Sequence, residues 1–311
     1  MWALWIALAT AGTGPWVPGT GVANVYIGLE GDQFNNLSSP TDSGRQTLPV
    51  GEGISTITAS GTITYGVAPR LEAELRIPYS ASHANRDDAA DCLALGLEAC
   101  ETTHTVGVLE ANVKGLIFDE VAGAPLSLAL GGIVRFGGLA APFRARLTNA
   151  GEGTTDLGGK LAAGRSFSLG GEGGYWSTSL DLFYLHRIPN TRTFPLQVGS
   201  RRVPGDHVGA SFEAFFSPRG VLAFGPAVSA QHRLSGVNFS EIEVNDPDRL
   251  GALRTTLVSA GLKALVRDNR NNVFVVSLWR TAYSVNNPSD QIIVSIGMSL
   301  NDVLRKRNRT D

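Results

Sequence analysis

Apolar and polar residues alternate in short stretches along almost the whole chain. Residues 71–77 are the clearest case, because apolar side chains occupy every odd position and charged side chains every even one. A β-strand turns successive side chains to opposite faces, so this segment has one apolar face and one charged face. A soluble sheet buries the apolar face, whereas a membrane barrel turns it to lipid and the polar face to the lumen.

The alternation predicts twelve strands, near residues 22–30, 53–66, 70–79, 103–117, 124–137, 154–168, 175–187, 207–217, 220–234, 254–267, 272–285 and 290–301. The connections between them are alternately long (31–52, 80–102, 138–153, 188–206, 235–253) and short (67–69, 118–123, 169–174, 217–220, 268–271), and only 286–289 breaks this order. Short turns at one end and long loops at the other are typical of outer-membrane barrels, whose turns are periplasmic. An even strand number also places both termini on the periplasmic side.

These patterns predict an all-β fold: one transmembrane antiparallel up-and-down β-barrel of about 12 strands over residues 22–301. No run approaches the roughly 18 apolar residues of a membrane helix, and barrels escape hydropathy analysis because half of each strand faces a polar lumen. The 311 residues contain 37 glycines and carry a net charge of −2. With no basic stripe, this charge argues against a nucleic-acid partner.

The first eleven residues form a short apolar segment that ends in Ala9-Thr10-Ala11. This ending is typical of a secretory signal peptide cut after Ala11. A cut as late as Ala23, or a first strand or buried segment in place of a signal, are the open alternatives. With this signal, we expect export to the bacterial outer membrane. Residues 302–311 form a basic tail, which we expect to be a short periplasmic extension.

Cys92 and Cys100 are the only cysteines, and both lie in one polar loop. An even number of cysteines in one loop of an exported protein predicts a disulfide. Zinc ligation is a poor alternative, because the pair lacks CxxC spacing and has no evident histidine partner. The acidic loop at 241–248 also lacks the ligand spacing of a calcium site, so no metal site and no cofactor are predicted.

Residues 61–79 contain the phrase YGVAPRLE at 65–72 and the pair PY at 78–79. This hairpin, with echoes at 125–137 and 153–167, resembles the outer-membrane barrels of the "meta-pathway of phenol degradation" transporter family, which is distantly FadL-like. The resemblance implies a passage for small hydrophobic or aromatic compounds. FadL-type channels carry an N-terminal plug, but the first strand here follows the signal almost at once, so a plugged, ligand-gated mechanism does not carry over.

If the apolar faces meet lipid, twelve charged side chains face the lumen. They are the acids Glu72, Glu74, Glu110, Asp156, Asp181 and Glu213 and the bases Arg76, Lys114, Arg135, Lys160, Arg233 and Lys263. One interpretation is a polar constriction that filters solutes by size and charge. The other is a structural network of ion pairs that fills a narrow lumen and has no transport role.

A lipid hydrolase is a third class to consider, since some twelve-stranded outer-membrane barrels cleave lipids with a His-x-Ser-Asn arrangement. Here His232 and Ser235 are three residues apart, so they point to opposite faces of a strand. His207 and Ser211 share a face but stand ~13 Å apart. No catalytic residue is therefore predicted.

The sequence therefore predicts a passive channel for small solutes, with hydrophobic or aromatic ones among the candidates. The alternative is a structural or interaction protein with a closed lumen that acts through its extracellular loops, and a lipid hydrolase comes third. The expected partners are outer-membrane lipid and lipopolysaccharide, the barrel-insertion machinery and a small solute. Protein partners would meet the extracellular loops or the periplasmic tail.

Overall fold

The computed structural model describes residues 14–41, 44–84, 102–137, 154–170, 173–189, 205–236, 254–301 and Val303. The strands are β1 (Ala23–Thr41), β2 (Gly44–Ala68), β3 (Leu71–Ala84), β4 (Thr103–Val106), β5 (Leu109–Phe118), β6 (Ser127–Phe136), β7 (Thr154–Gly170), β8 (Gly174–Pro189), β9 (His207–Ser217), β10 (Leu222–Arg233), β11 (Thr256–Arg267), β12 (Val273–Val285), β13 (Asn287–Pro288) and β14 (Ile292–Leu300). A single 3-10 turn, Glu120–Ala122, lies between β5 and β6. No helix in these ranges is long and apolar enough to cross a membrane.

The strands form one closed antiparallel barrel. Each long strand pairs with the next along the chain, and β1 pairs with both β2 and β14, which closes the sheet. Strands β4 and β5 both pair with β3 and occupy one place in the wall, while the two-residue β13 pairs with β1. The wall therefore has twelve places, and the predicted up-and-down barrel is confirmed.

The two faces of the barrel wall have opposite polarity. Large apolar side chains are exposed on the outside, for example Ile27 (56%) and Leu262 (66%). Polar side chains are buried on the inside, for example Glu72 (4%) and Ser277 (3%). This arrangement is the reverse of a soluble sheet, because lipid solvates the outer face and every backbone polar group is paired within the closed sheet.

Because the two faces of the wall differ, substitutions of two adjacent residues in the middle of β11 should have very different effects on stability. Leu262→Arg should cost about 2–4 kcal/mol, because it places a charge on the lipid face near the bilayer midplane. Lys263→Arg, on the lumen face, should change stability far less. Urea-dependent folding into phospholipid vesicles measures both, and equal losses would contradict the assigned faces.

The hairpin of β1 and β2 is much longer than the sequence indicated. Residues 31–52 were expected to form a long loop, but the two strands stay paired as far as Thr41 and Gly44. Polar residues occupy both faces of this extension, because it stands beyond the lipid, and the alternation is lost. Backbone pairing and side-chain bonds hold it instead, such as the bond from Ser38 Oγ to the carbonyl of Ser284 (2.6 Å).

The fourth predicted strand, 103–117, is interrupted at Gly107 and Val108. Pro78 of β3 lies opposite the interruption and has no N–H to donate to the ladder. A single bond from the N–H of Gly107 to the carbonyl of Pro78 (2.9 Å) bridges the gap. The break between β4 and β5 therefore follows from one proline in the neighbouring strand.

Candidate functional site in the barrel lumen

All twelve charged side chains singled out above lie on the inner face of the barrel. Seven of them are buried: Glu72, Glu74, Lys114, Asp156, Asp181, Glu213 and Arg233. The other five, together with Glu74, line a central cavity: Arg76, Glu110, Arg135, Lys160 and Lys263. The strand pairing therefore brings them into one compartment, although they are spread over more than half of the chain.

Five charges of alternating sign form a row across adjacent strands. In the strand register Arg76 faces Glu110, Glu110 faces Arg135, Arg135 faces Asp156, and Asp156 faces Arg187. Arg135 Nε lies 2.5 Å from Glu110 Oε2, and Arg187 Nε lies 3.4 Å from Asp156 Oδ1. Opposite charges directly across a sheet stabilise it. Sequence reasoning missed Arg187, although it is six residues from Asp181 and so has the same inward parity.

Three further ion pairs connect six of the remaining predicted charges. Lys114 Nζ lies 2.9 Å from Glu72 Oε1, and Lys160 Nζ lies 3.3 Å from Asp181 Oδ1. Lys263 Nζ contacts Glu213 Oε1. Because a buried charge without a partner is very unfavourable, these pairs allow a charged interior to exist at all.

The central cavity has a volume of about 360 Å³. Its charged lining consists of Glu30, Glu74, Arg76, Glu110, Arg135, Lys160 and Lys263. Hydroxyl groups from Ser60, Thr62 and Ser211 and the rings of Tyr26 and Phe183 complete much of the wall. Glu30 was missed because the first strand was expected to end at this residue, whereas β1 continues to Thr41.

An N-terminal segment, residues 14–18, lies inside the lumen. The N–H of Gly14 donates to Asp181 Oδ2 (2.9 Å), and Lys114 Nζ donates to the carbonyl of Gly14 (2.9 Å). Trp16 is 5% exposed, and its Nε1 donates to Glu120 Oε1 (3.1 Å) in the turn after β5. A segment before β1 therefore enters the lumen, which the sequence did not indicate.

Gly164 of β7 makes room for this segment. A Cβ atom at this position would lie 2.8 Å from Trp16 Cη2 and 2.9 Å from Pro15 Cδ, which is too close for any real contact. Gly164 lies within the predicted sixth strand, 154–168. In the folded barrel it lets the inserted segment lie directly on the wall.

An apolar cluster fills the other side of the lumen near the short turns. It consists of Tyr175, Phe215, Ala223, Leu265, Val273 and Val275, with Tyr26 packed against it. Both tyrosines face inward: Tyr26 also lines the central cavity, and Tyr175 is only 2% exposed. The cluster and the N-terminal segment together occupy the periplasmic half of the lumen.

The extracellular mouth carries an ionised carboxylate outside the strands, that of Asp206. The Tyr184 hydroxyl donates to it (2.5 Å), and this hydrogen bond holds the pKa of Asp206 below its ordinary value. The backbone N–H of Arg187 (3.2 Å) and His186 Nδ1 (3.0 Å) are its other partners. Asp206 therefore adds negative charge beside Arg187 at the end of the charge row.

The histidines considered for catalysis have other contacts. His232 Nδ1 lies 2.9 Å from Thr256 Oγ1, and the ring of His207 packs edge-on against Phe183 at 5.2 Å. Ser211 lines the cavity. In the ranges that the structure describes, no group of three or more His, Cys, Asp or Glu side chains could hold a metal ion.

Several predicted features lie outside the described residues. They are the signal segment 1–11, the cysteines Cys92 and Cys100, the acidic loop 241–248 and the basic residues of the tail. Ala23, the later candidate for signal cleavage, is the first residue of β1 and pairs with Tyr65.

No protein-family model matches the sequence, and no curated protein matches it significantly. Among solved structures, the COG4313 outer membrane channel from Pseudomonas putida F1 aligns with a TM-score of 0.63 and 13% identity, over 93% of this chain and 98% of that one. The translocator domain of the autotransporter NalP from Neisseria meningitidis aligns at 0.44, with 12% identity over 94% and 92% of the two chains. A mutant of the TodX monoaromatic hydrocarbon channel aligns at 0.41, with 8% identity over 96% and 92%.

At this identity the first comparison establishes the fold, which is that of a bacterial outer-membrane barrel. The apolar outer face and the closed strand ladder of this chain agree with it. The chain is therefore an outer-membrane β-barrel protein.

Proposed function

We propose that this protein is an outer-membrane channel for small solutes, held closed in the present conformation by residues 14–18 and the apolar cluster. One observation carries the proposal: the lumen contains a charged cavity of about 360 Å³ inside a barrel that spans the membrane. An exposed charge such as that of Arg76 does not fill space in the barrel, but it can interact with a solute that enters the cavity. The likeness in fold to an outer membrane channel supports the same function.

Two observations concern the solute class, and they favour different kinds of solute. The family resemblance of residues 61–79 implies hydrophobic or aromatic compounds, and the rings of Tyr26 and Phe183 are surfaces on which an aromatic compound would stack. The rest of the cavity lining is mostly polar or charged, which favours a polar solute. The proposal is therefore for small solutes in general.

A structural or interaction protein with a closed lumen is the second candidate. The ion pairs Lys114–Glu72 and Lys160–Asp181 favour it, since they fill space next to the inserted segment. Such a protein would act through its extracellular loops or its tail. The two candidates differ in conductance, which a scaffold lacks in every variant.

Neutralising Arg76 should change the ion selectivity of the channel. A unit charge about 5 Å from a permeating ion contributes roughly 0.8 kcal/mol in water, repelling a cation and attracting an anion. Arg76→Gln should therefore raise cation permeability about fourfold and lower anion permeability about fourfold, so that their ratio rises roughly 16-fold. Reversal potentials across planar bilayers with a salt gradient measure this ratio.

Arg165→Gln is the matched control, because Arg165 lies on the outer face, over the ring of Phe167. It should leave the selectivity unchanged. Identical selectivity in both variants would show that Arg76 does not act on permeating ions. The absence of conductance in every variant would favour the closed scaffold.

A further inference from the structure

Two of the charges that line the cavity lack the partners that the others have. Arg135, Lys160 and Lys263 each form an ion pair with a neighbouring acid. In the described ranges Arg76 and Glu30 form no hydrogen bond and no direct ion pair, although they interact electrostatically with each other across the cavity. Both side chains are exposed, and both line the same cavity.

The sheet places these two opposite charges at separate points of one wall. Glu30 is on β1 and Arg76 is on β3, with β2 between them. Arg76 pairs with Thr62, which in turn pairs with Tyr26. Arg76 is therefore level with Tyr26, which precedes Glu30 by four residues along β1. The hydroxyls of Ser60 and Thr62 lie on the strand between them. An anionic and a cationic group would thus bind at two distinct positions.

The chemistry at each position is complementary to one end of a zwitterion. A guanidinium group that makes no hydrogen bond within the described residues, as at Arg76, can bind a carboxylate through two parallel hydrogen bonds. The Glu30 carboxylate suits an ammonium group, and the Tyr26 ring in the same cavity adds a face that attracts cations. A cavity of about 360 Å³ is at the lower end of the volumes of ligand sites, roughly 300–1,000 Å³.

Singly charged molecules fit this lining less well. A simple anion bound to Arg76 would leave the nearby carboxylates of Glu30 and Glu74 to repel it. A simple cation bound to Glu30 would be close to Arg76 and Lys263. A zwitterion neutralises both free charges at once, and specificity of this kind comes as much from repulsion of the wrong ligand as from attraction of the right one.

We propose that the cavity binds small zwitterions, with the anionic group on Arg76 and the ammonium group at Glu30. This inference rests on the proposed function, since it names the solute class of the same lumen. It turns a channel for small solutes into one that selects small dipolar molecules such as amino acids and betaines.

Calorimetric titration of the full chain folded in detergent tests the proposal without any need for conduction. The zwitterionic probes are glycine, β-alanine and γ-aminobutyrate, which differ only in the distance between their charges. Butyrate and butylammonium are the singly charged probes of similar size. We expect at least one zwitterion to bind about tenfold more tightly than both single ions.

Two substitutions test whether the anionic group of the ligand binds at Arg76 and its ammonium group at Glu30. Arg76→Gln and Glu30→Gln should each weaken zwitterion binding about tenfold or more, and Arg165→Gln on the outer face should not change it. Heat-modifiable gel mobility shows that each variant is folded. Equal binding of all five probes, or zwitterion binding that survives both substitutions, would overturn the inference.

Failure of this inference can be told apart from failure of the proposed function. A protein that conducts ions but binds all probes equally would disprove the zwitterion site without disproving the channel. Zwitterion binding in a protein that never conducts, even without residues 14–18, supports the site and overturns the channel.

Discussion

Trp16→Ala should shift the proposed channel from mostly closed to open for much of the time. Trp16 is 5% exposed inside the lumen, and its Nε1 donates to Glu120. Truncation of a buried tryptophan to alanine typically costs about 3–5 kcal/mol. Every 1.4 kcal/mol is a factor of ten, so the ratio of open to closed barrels should rise by roughly 100-fold or more.

Single-channel recording in planar bilayers measures this ratio as the open probability. Deletion of residues 14–18 should have an effect at least as large, since it also removes the bonds of Gly14 to Asp181 and Lys114. Trp176→Ala is the matched control, because Trp176 is 39% exposed on the outer face.

An unchanged open probability in both Trp16→Ala and the deletion would contradict the role of the segment. The apolar cluster around Tyr175 and Leu265 would then be the barrier. A rise in the Trp176→Ala control equal to that in Trp16→Ala would show that the effect comes from a general loosening of the barrel.

Lys114→Met should destabilise the barrel by about 3–5 kcal/mol, the usual effect of removing one partner of a buried ion pair. Lys114 and Glu72 are each 4% exposed, and their charged atoms lie 2.9 Å apart. Without Lys114, the buried Glu72 carboxylate loses its ion pair, and the carbonyl of Gly14 loses its donor.

The double variant Lys114→Met/Glu72→Leu should recover most of this loss, because no uncompensated charge is then left. The free energy of unfolding, from urea titration in lipid vesicles, measures both variants. Arg165→Met, which removes an exposed cation from the outer face, should change it by less than about 1 kcal/mol. A double variant no more stable than Lys114→Met would show that the pair acts through its shape and not through its charge.

The sequence predicted the barrel well because strand alternation is a local property. The predicted strand 207–217 has the same bounds as β9, and most others differ from the observed strands by a few residues. The inward parity of residues such as Glu72 and Asp181 followed from the same alternation. Once the apolar face is assigned to lipid, every charge on the other face must point into the lumen.

Prediction was weaker where a residue is held by partners far away in the chain. Strands β1 and β2 were cut short because their polar extension has no lipid face and therefore no alternation. Pro78 divides its neighbouring strand through an absent N–H, which only the register of the pairing reveals. Glu30 was missed for a related reason, because its place in the lumen depends on the continuation of β1 beyond the predicted end of that strand.

The amino-acid sequence by itself determined a twelve-stranded outer-membrane barrel with a charged lumen, since period-two alternation and turn chemistry act over a few residues. Only the tertiary structure decided that residues 14–18 enter the lumen and that Arg76 and Glu30 line one cavity. Gly14 and Asp181 are 167 residues apart in the chain. Contacts over such a distance exist only when all the intervening strands are paired in register, so no local pattern encodes them.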